Sequence, residues 1–238
     1  TIKKRNIIKV KKFFTAFIVS IIILLFIFHE KIVEKFIIYK LSNWVEKEVS
    51  FDNFKYEYPN LIKISGLEVI NANPIYNDNI FESELISIDL DLKTYLFKKL
   101  VIIKSLKIEN PVFFLELNTK KSEVIDNDKN IKKNIFEDNI GVAKKINENL
   151  PDKIWPSKKR DINFLILKSS IENGIAYIKI SSVEDTSKIY LSTFKFFKIG
   201  NQKGFQHYKD VLKIMLFDIF ARETDQIKKE TLKEAYKF

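Results

Sequence analysis

Residues Phe13–Phe28, FFTAFIVSIIILLFIF, carry no charge, and only Thr15, Ala16 and Ser20 interrupt the large apolar side chains. A helix of that length spans roughly 24 Å, slightly short of a hydrocarbon core of ~30 Å. Ile7, Ile8 and Val10 before it, and Ile32 and Val33 after it, extend the apolar run, with flanking lysines able to snorkel. Lys3, Lys4, Arg5, Lys9, Lys11 and Lys12 precede it without an acid. The expectation is a cytoplasmic basic tail, 1–12, a transmembrane anchor, 13–28, and a chain that continues on the far side of an inner membrane. A cleaved signal would end in small residues; His29-Glu30-Lys31 follows instead, so the anchor is expected to be retained.

Six of the 41 basic side chains sit in those first twelve residues, leaving 35 against 31 acids in the rest. So even a balance gives no reason to expect a nucleic-acid partner. The chain has no cysteine, which excludes disulfides, thiolate metal sites and cysteine nucleophiles. His29 and His207 are the only imidazoles, and the HExxH pattern that His29-Glu30 would open fails at Val33. No GxSxG, phosphate loop or dinucleotide fingerprint occurs. Asp89 and Asp91 read as the wet face of a strand, and Asp126 and Asp128 as loop residues without the glycine and glutamate of a calcium loop. A non-enzymatic protein with no cofactor is expected.

Beyond the anchor, Ile32, Val33, Phe36, Ile37, Leu41, Trp44 and Val45 recur at steps of three and four, the signature of an amphipathic helix. The period then changes to two. Phe54, Tyr56 and Tyr58 alternate with charged residues; Leu61–Ile70 follows around Gly66. Ile86, Ile88, Leu90 and Leu92 oppose Ser87, Asp89 and Asp91. Asn110-Pro111 breaks one run and Asn173-Gly174 predicts a turn in another. Residues 119–160 read as a polar insertion with a short helix at Asn139–Leu150. Tyr208–Ala221 reads as a closing helix with Leu212, Met215 and Ile219 on its stripe, and 222–238 as a charged helical tail. The expected fold is α+β: one transmembrane helix, then a curved antiparallel sheet of about seven to nine strands, by counting runs, packed by amphipathic helices over 29–221.

The stretches NLIKISGLEVINA and FESELISIDLDLKTYLFKKLVIIKSLKIENPVFFLEL resemble the N-terminal module of AsmA-like envelope proteins. The matching positions include Ser65, Gly66, Leu67, Ile86, Ile88, Leu90, Leu106, Ile108, Pro111 and Leu115. LILKSSIENGIAYIKI is similar to a strand-Asn-Gly-strand unit of the same family. The chain is much shorter than the long bridge-forming relatives, and Gly200 and Gly204 alone stand where the family is glycine-rich. The resemblance implies a periplasmic, inner-membrane-anchored protein that binds membrane lipids and serves phospholipid transfer or outer-membrane assembly. Ile86, Ile88, Leu90, Leu92, Ile108 and Phe114 are then candidates to line a lipid groove. The same apolar face could equally be core covered by its own helices. A second reading is a scaffold docking envelope proteins through a sheet edge or through Leu212, Met215 and Ile219.

Overall fold

The computed structural model describes residues 31, 33–43, 45, 47–91, 94, 100–122, 133–139, 163–200 and 208–236. The basic tail 1–12, the expected anchor 13–28, Leu92, and most of the short helix expected at Asn139–Leu150 lie outside the described residues. Among the described residues no helix is long and apolar enough to cross a membrane. Residues 33–43 are helical (α1) but cover only about 16 Å and carry Glu34, Lys35 and Lys40. The described residues therefore give no support to the single-pass inner-membrane placement or to the transmembrane element of the expected fold.

Among the described residues strand accounts for 54% and helix for 24%, so sheet dominates where an α+β fold was expected. The chain divides into two compact units, Thr1–Lys40 and Leu41–Phe238. All eleven described strands belong to the second and form one sheet: β1 (Val49–Ser50), β2 (Asn53–Glu57), β3 (Leu61–Ile70), β4 (Asn79–Leu90), β5 (Leu100–Glu109), β6 (Val112–Ser122), β7 (Lys133–Asp138), β8 (Asn163–Glu172), β9 (Ile175–Ile180), β10 (Ser187–Tyr190) and β11 (Phe194–Gly200). The end of β6 and all of β7 lie in the stretch that read as polar insertion. There they pair antiparallel, Thr119 opposite Phe136.

The sheet is mixed, not antiparallel. β5 runs parallel to β8, and β6 parallel to β9. Ile108 faces Ile171 and Val112 faces Ile175, the same separation of 63 residues in both pairs. β5–β6 and β8–β9 are thus two long strands lying side by side in constant register, each creased once. The creases fall together, at Asn110-Pro111 and Asn173-Gly174. Both asparagines are left-handed, with φ of 49° and 55°. Asn173-Gly174 was expected to form a turn, but not a hairpin one here, since β8 and β9 do not pair with each other. A tight hairpin of that type needs positive φ at both central residues, and only Asn173 has it.

Each crease changes which alternate residues face the core. Ile108 on β5, then Phe113, Leu115 and Leu117 on β6, pack in one cluster; Ile171 on β8, then Ala176, Ile178 and Ile180 on β9, do the same. A regular strand would keep even or odd positions inside throughout. One left-handed residue resets the count, as a bulge does.

Two helices cover this core, α2 (Tyr208–Arg222) and α3 (Gln226–Ala235). α2 contributes Met215, Leu216, Ile219 and Phe220; α3 contributes Leu232 and Ala235. α3 is a capped helix: the Asp225 carboxylate accepts from the amides of Ile227 at 3.0 Å and Lys228 at 3.4 Å. Tyr236 closes it, buried, with its hydroxyl donating to Asp138 on β7.

Burial, reinforced by the Asp138 charge, pushes the Tyr236 phenol well above its ordinary value of 10.0. Unfolded tyrosine ionises near 10, whereas this phenol stays protonated in the fold. Its contribution is therefore complete below that pH and is lost as pH rises above it. Urea midpoints should fall above pH 10 in the wild type, and Tyr236→Phe should flatten that alkaline decline while lowering stability at neutral pH. At the crease, Asn173→Ala should cost about 1 kcal/mol by urea unfolding, and Asn173→Gly should be near neutral, because only alanine meets a Cβ penalty at positive φ.

Candidate functional site

The strand registers line up apolar side chains in rungs across the sheet. One rung runs Phe54, Ile64, Ile86, Ile108, Ile171, Phe194 over six strands. The next runs Ile62, Ile88, Leu106, Ser169, Phe196. A third runs Leu90, Ile103, Ile166, Ile199. Between the second and third rungs the pairing of β4 with β5 slips at Asp89/Leu90, and Lys198 on β11 is left-handed with φ of 56°. These irregularities let Leu90 follow Ile88 beside Ile103, and let Ile199 follow Phe196, all on one face. The three rungs make a largely apolar floor that crosses the mixed sheet from β2 to β11.

Burial along the floor is graded. Ile64, Ile86, Ile171, Phe194, Phe196 and Ile199 are buried, and Ile108 and Ile166 pack against the cluster that α2 and α3 cover. Ile62, Ile88, Leu90, Ile103 and Leu106 keep part of their surface exposed. The opposite face is charged. Lys55 and Lys63 hold Glu57 at 3.0 and 3.1 Å, and their hydrogen bonds draw the Glu57 carboxyl below its usual range. Lys107 reaches Glu109 at 3.0 Å and Glu172 at 3.1 Å, which raises the ammonium pKa and ties β5 to β8 across the parallel pair.

Of the residues expected to line a groove, Ile86, Ile88, Leu90 and Ile108 fall on the floor. Phe114 does not. It lies beyond the Asn110 crease, on the other side of β6 from Phe113, and its ring stacks on Tyr177 with centroids 5.4 Å apart. Met215 and Ile219, expected to meet a partner, are buried in the chain's own core, and Leu212 is half-buried beside them. What α2 exposes is Ile214 and Phe217. The apolar β8 and β11 part of the floor, Ile166, Ile171, Phe194, Phe196 and Ile199, was not anticipated. Its signal was the repeated triplet Ile108-Glu109-Asn110 and Ile171-Glu172-Asn173, which the structure sets side by side.

A second feature lies on the far side of β6. Glu116, buried, accepts from the amides of Ile75, Tyr76 and Asn77 at 2.9, 2.8 and 2.8 Å, and from the Asn71 side chain at 2.9 Å. One carboxylate therefore fixes the whole β3–β4 loop. Among the described residues no group of three His, Cys, Asp or Glu side chains could hold a metal ion. No family model, curated protein or solved structure matches this chain.

The graded burial has a consequence for stability. Ile86→Ala, in the middle of the first rung, should cost about 2–4 kcal/mol by chemical unfolding. Leu90→Ala, at the more open end, should cost about 1 kcal/mol, because less of its surface is removed from water on folding.

Proposed function

We propose that this protein is a non-catalytic binding protein that takes an acyl chain along the apolar floor, in the service of phospholipid transfer or outer-membrane upkeep. One observation supports this reading above the others. The third rung is buried at its β11 end, at Ile199, and only partly buried toward its β4 end, at Leu90 and Ile103. The second rung repeats the gradient from Phe196 to Ile88 and Leu106. An acyl chain laid on the open end continues the hydrophobic contact that the helices begin. Each buried methylene contributes ~0.8 kcal/mol, so roughly eight of them contribute ~6 kcal/mol, enough to offset much of the cost of association. The resemblance to AsmA-like proteins points to the same ligand class.

The test is native mass spectrometry with solvent extraction of the purified chain, alongside the double variant Leu90→Asp/Ile103→Asp. The wild type should carry acyl lipid, and the variant should retain about tenfold less, equivalent to about 1.4 kcal/mol, while still unfolding cooperatively at a midpoint lowered by the loss of the two apolar side chains. A wild type free of lipid, or a variant that binds as well, would count against the reading.

A further inference from the structure

The loop that Glu116 holds displays apolar side chains outward. Ile75 is 42% and Tyr76 50% exposed, while their amides, with that of Asn77, point inward to the buried carboxylate. From Val69 to Asn77 the chain has no charged residue, in a protein where charged residues make up 30%. Burying a carboxylate is costly unless it is well bonded, and here the four bonds fix a loop whose tip is greasy. An ordinary surface loop needs no such clamp, since water satisfies its amides.

A segment entering a lipid interface does need it. Bare N–H groups are excluded from the apolar phase, so the tip amides must be satisfied from within, as Glu116 satisfies them. Tyrosine with a large aliphatic neighbour suits the headgroup boundary, where an apolar ring and a polar hydroxyl are both accommodated. We propose that the Ile75–Tyr76 tip is a preorganised contact for a lipid surface, inserting these two side chains while Glu116 keeps their backbone bonded. The inference does not depend on the acyl-chain reading: the loop precedes β4, whereas Leu90 is the last residue of that strand.

Because the natural chain has no cysteine, one introduced thiol is labelled uniquely. Ile75→Cys, carrying an environment-sensitive fluorophore on the full chain, is mixed with phosphatidylcholine vesicles; Tyr58→Cys, at the exposed turn between β2 and β3, carries the same label as reference. The label at 75 should shift to the blue and be quenched by acyl-brominated lipid, insensitively to salt, while the label at 58 stays unchanged. In an added Glu116→Gln background the shift at 75 should be largely lost, because the tip is no longer held. An unshifted label at 75, or equal shifts at 75 and 58, overturns the proposal; so does a full shift that survives Glu116→Gln.

Discussion

The parallel contact between β5–β6 and β8–β9 is the constraint on which the remaining structure depends. It joins a segment that starts at Leu100 to one that starts at Asn163, without a register error, across a crease that both strands share. Parallel strands cannot be joined by a short turn, and residues 123–162 separate β6 from β8 in the sequence. Lys107 marks the contact on the charged face by reaching both Glu109 and Glu172, and Ile108 opposite Ile171 marks it on the apolar face. Antiparallel strands then add outward on each side, β4 and β3 to one, β11 and β10 to the other.

The creases serve packing as well as path. A sheet this wide is bound to twist, and local irregularities that fall side by side let it bend without breaking the ladder between neighbours. Asn110 and Asn173 supply the left-handed residue that most side chains avoid, and asparagine tolerates it best after glycine. The reset in alternation carries the same face from Ile108 to Leu115 and from Ile171 to Ile178, so the helices meet one continuous core.

Legibility in the sequence followed the range of the physics. Ile86, Ile88 and Leu90 alternate with Ser87 and Asp89, and that local period placed a strand and its apolar face correctly. The α2 helix, too, is written in the spacing of Val211, Met215 and Ile219. Phe114 was misplaced because counting by twos from Ile108 ignores a left-handed residue in between. The parallel order was hidden because no local pattern encodes which distant strand is a neighbour; only the recurrence of Ile-Glu-Asn hinted at it. Asn173-Gly174 has the composition of a hairpin turn, and only the backbone shows a crease instead. For Met215 and Ile219, apolarity did not say whether the cover would come from outside or from within. The apolar run at 13–28 suggested a membrane span, but the helices described are too short or too charged to form one.

The parallel register can be tested directly in a chain with no cysteine of its own. Lys107 and Ser170 are register partners on the charged face of β5 and β8, at a separation that suits a disulfide. The account predicts that Lys107→Cys/Ser170→Cys oxidises readily to an intramolecular crosslink, while Lys107→Cys/Lys168→Cys, slipped by two residues, does not. A crosslink in the slipped pair, or none in either, would contradict the parallel register and the apolar floor built on it.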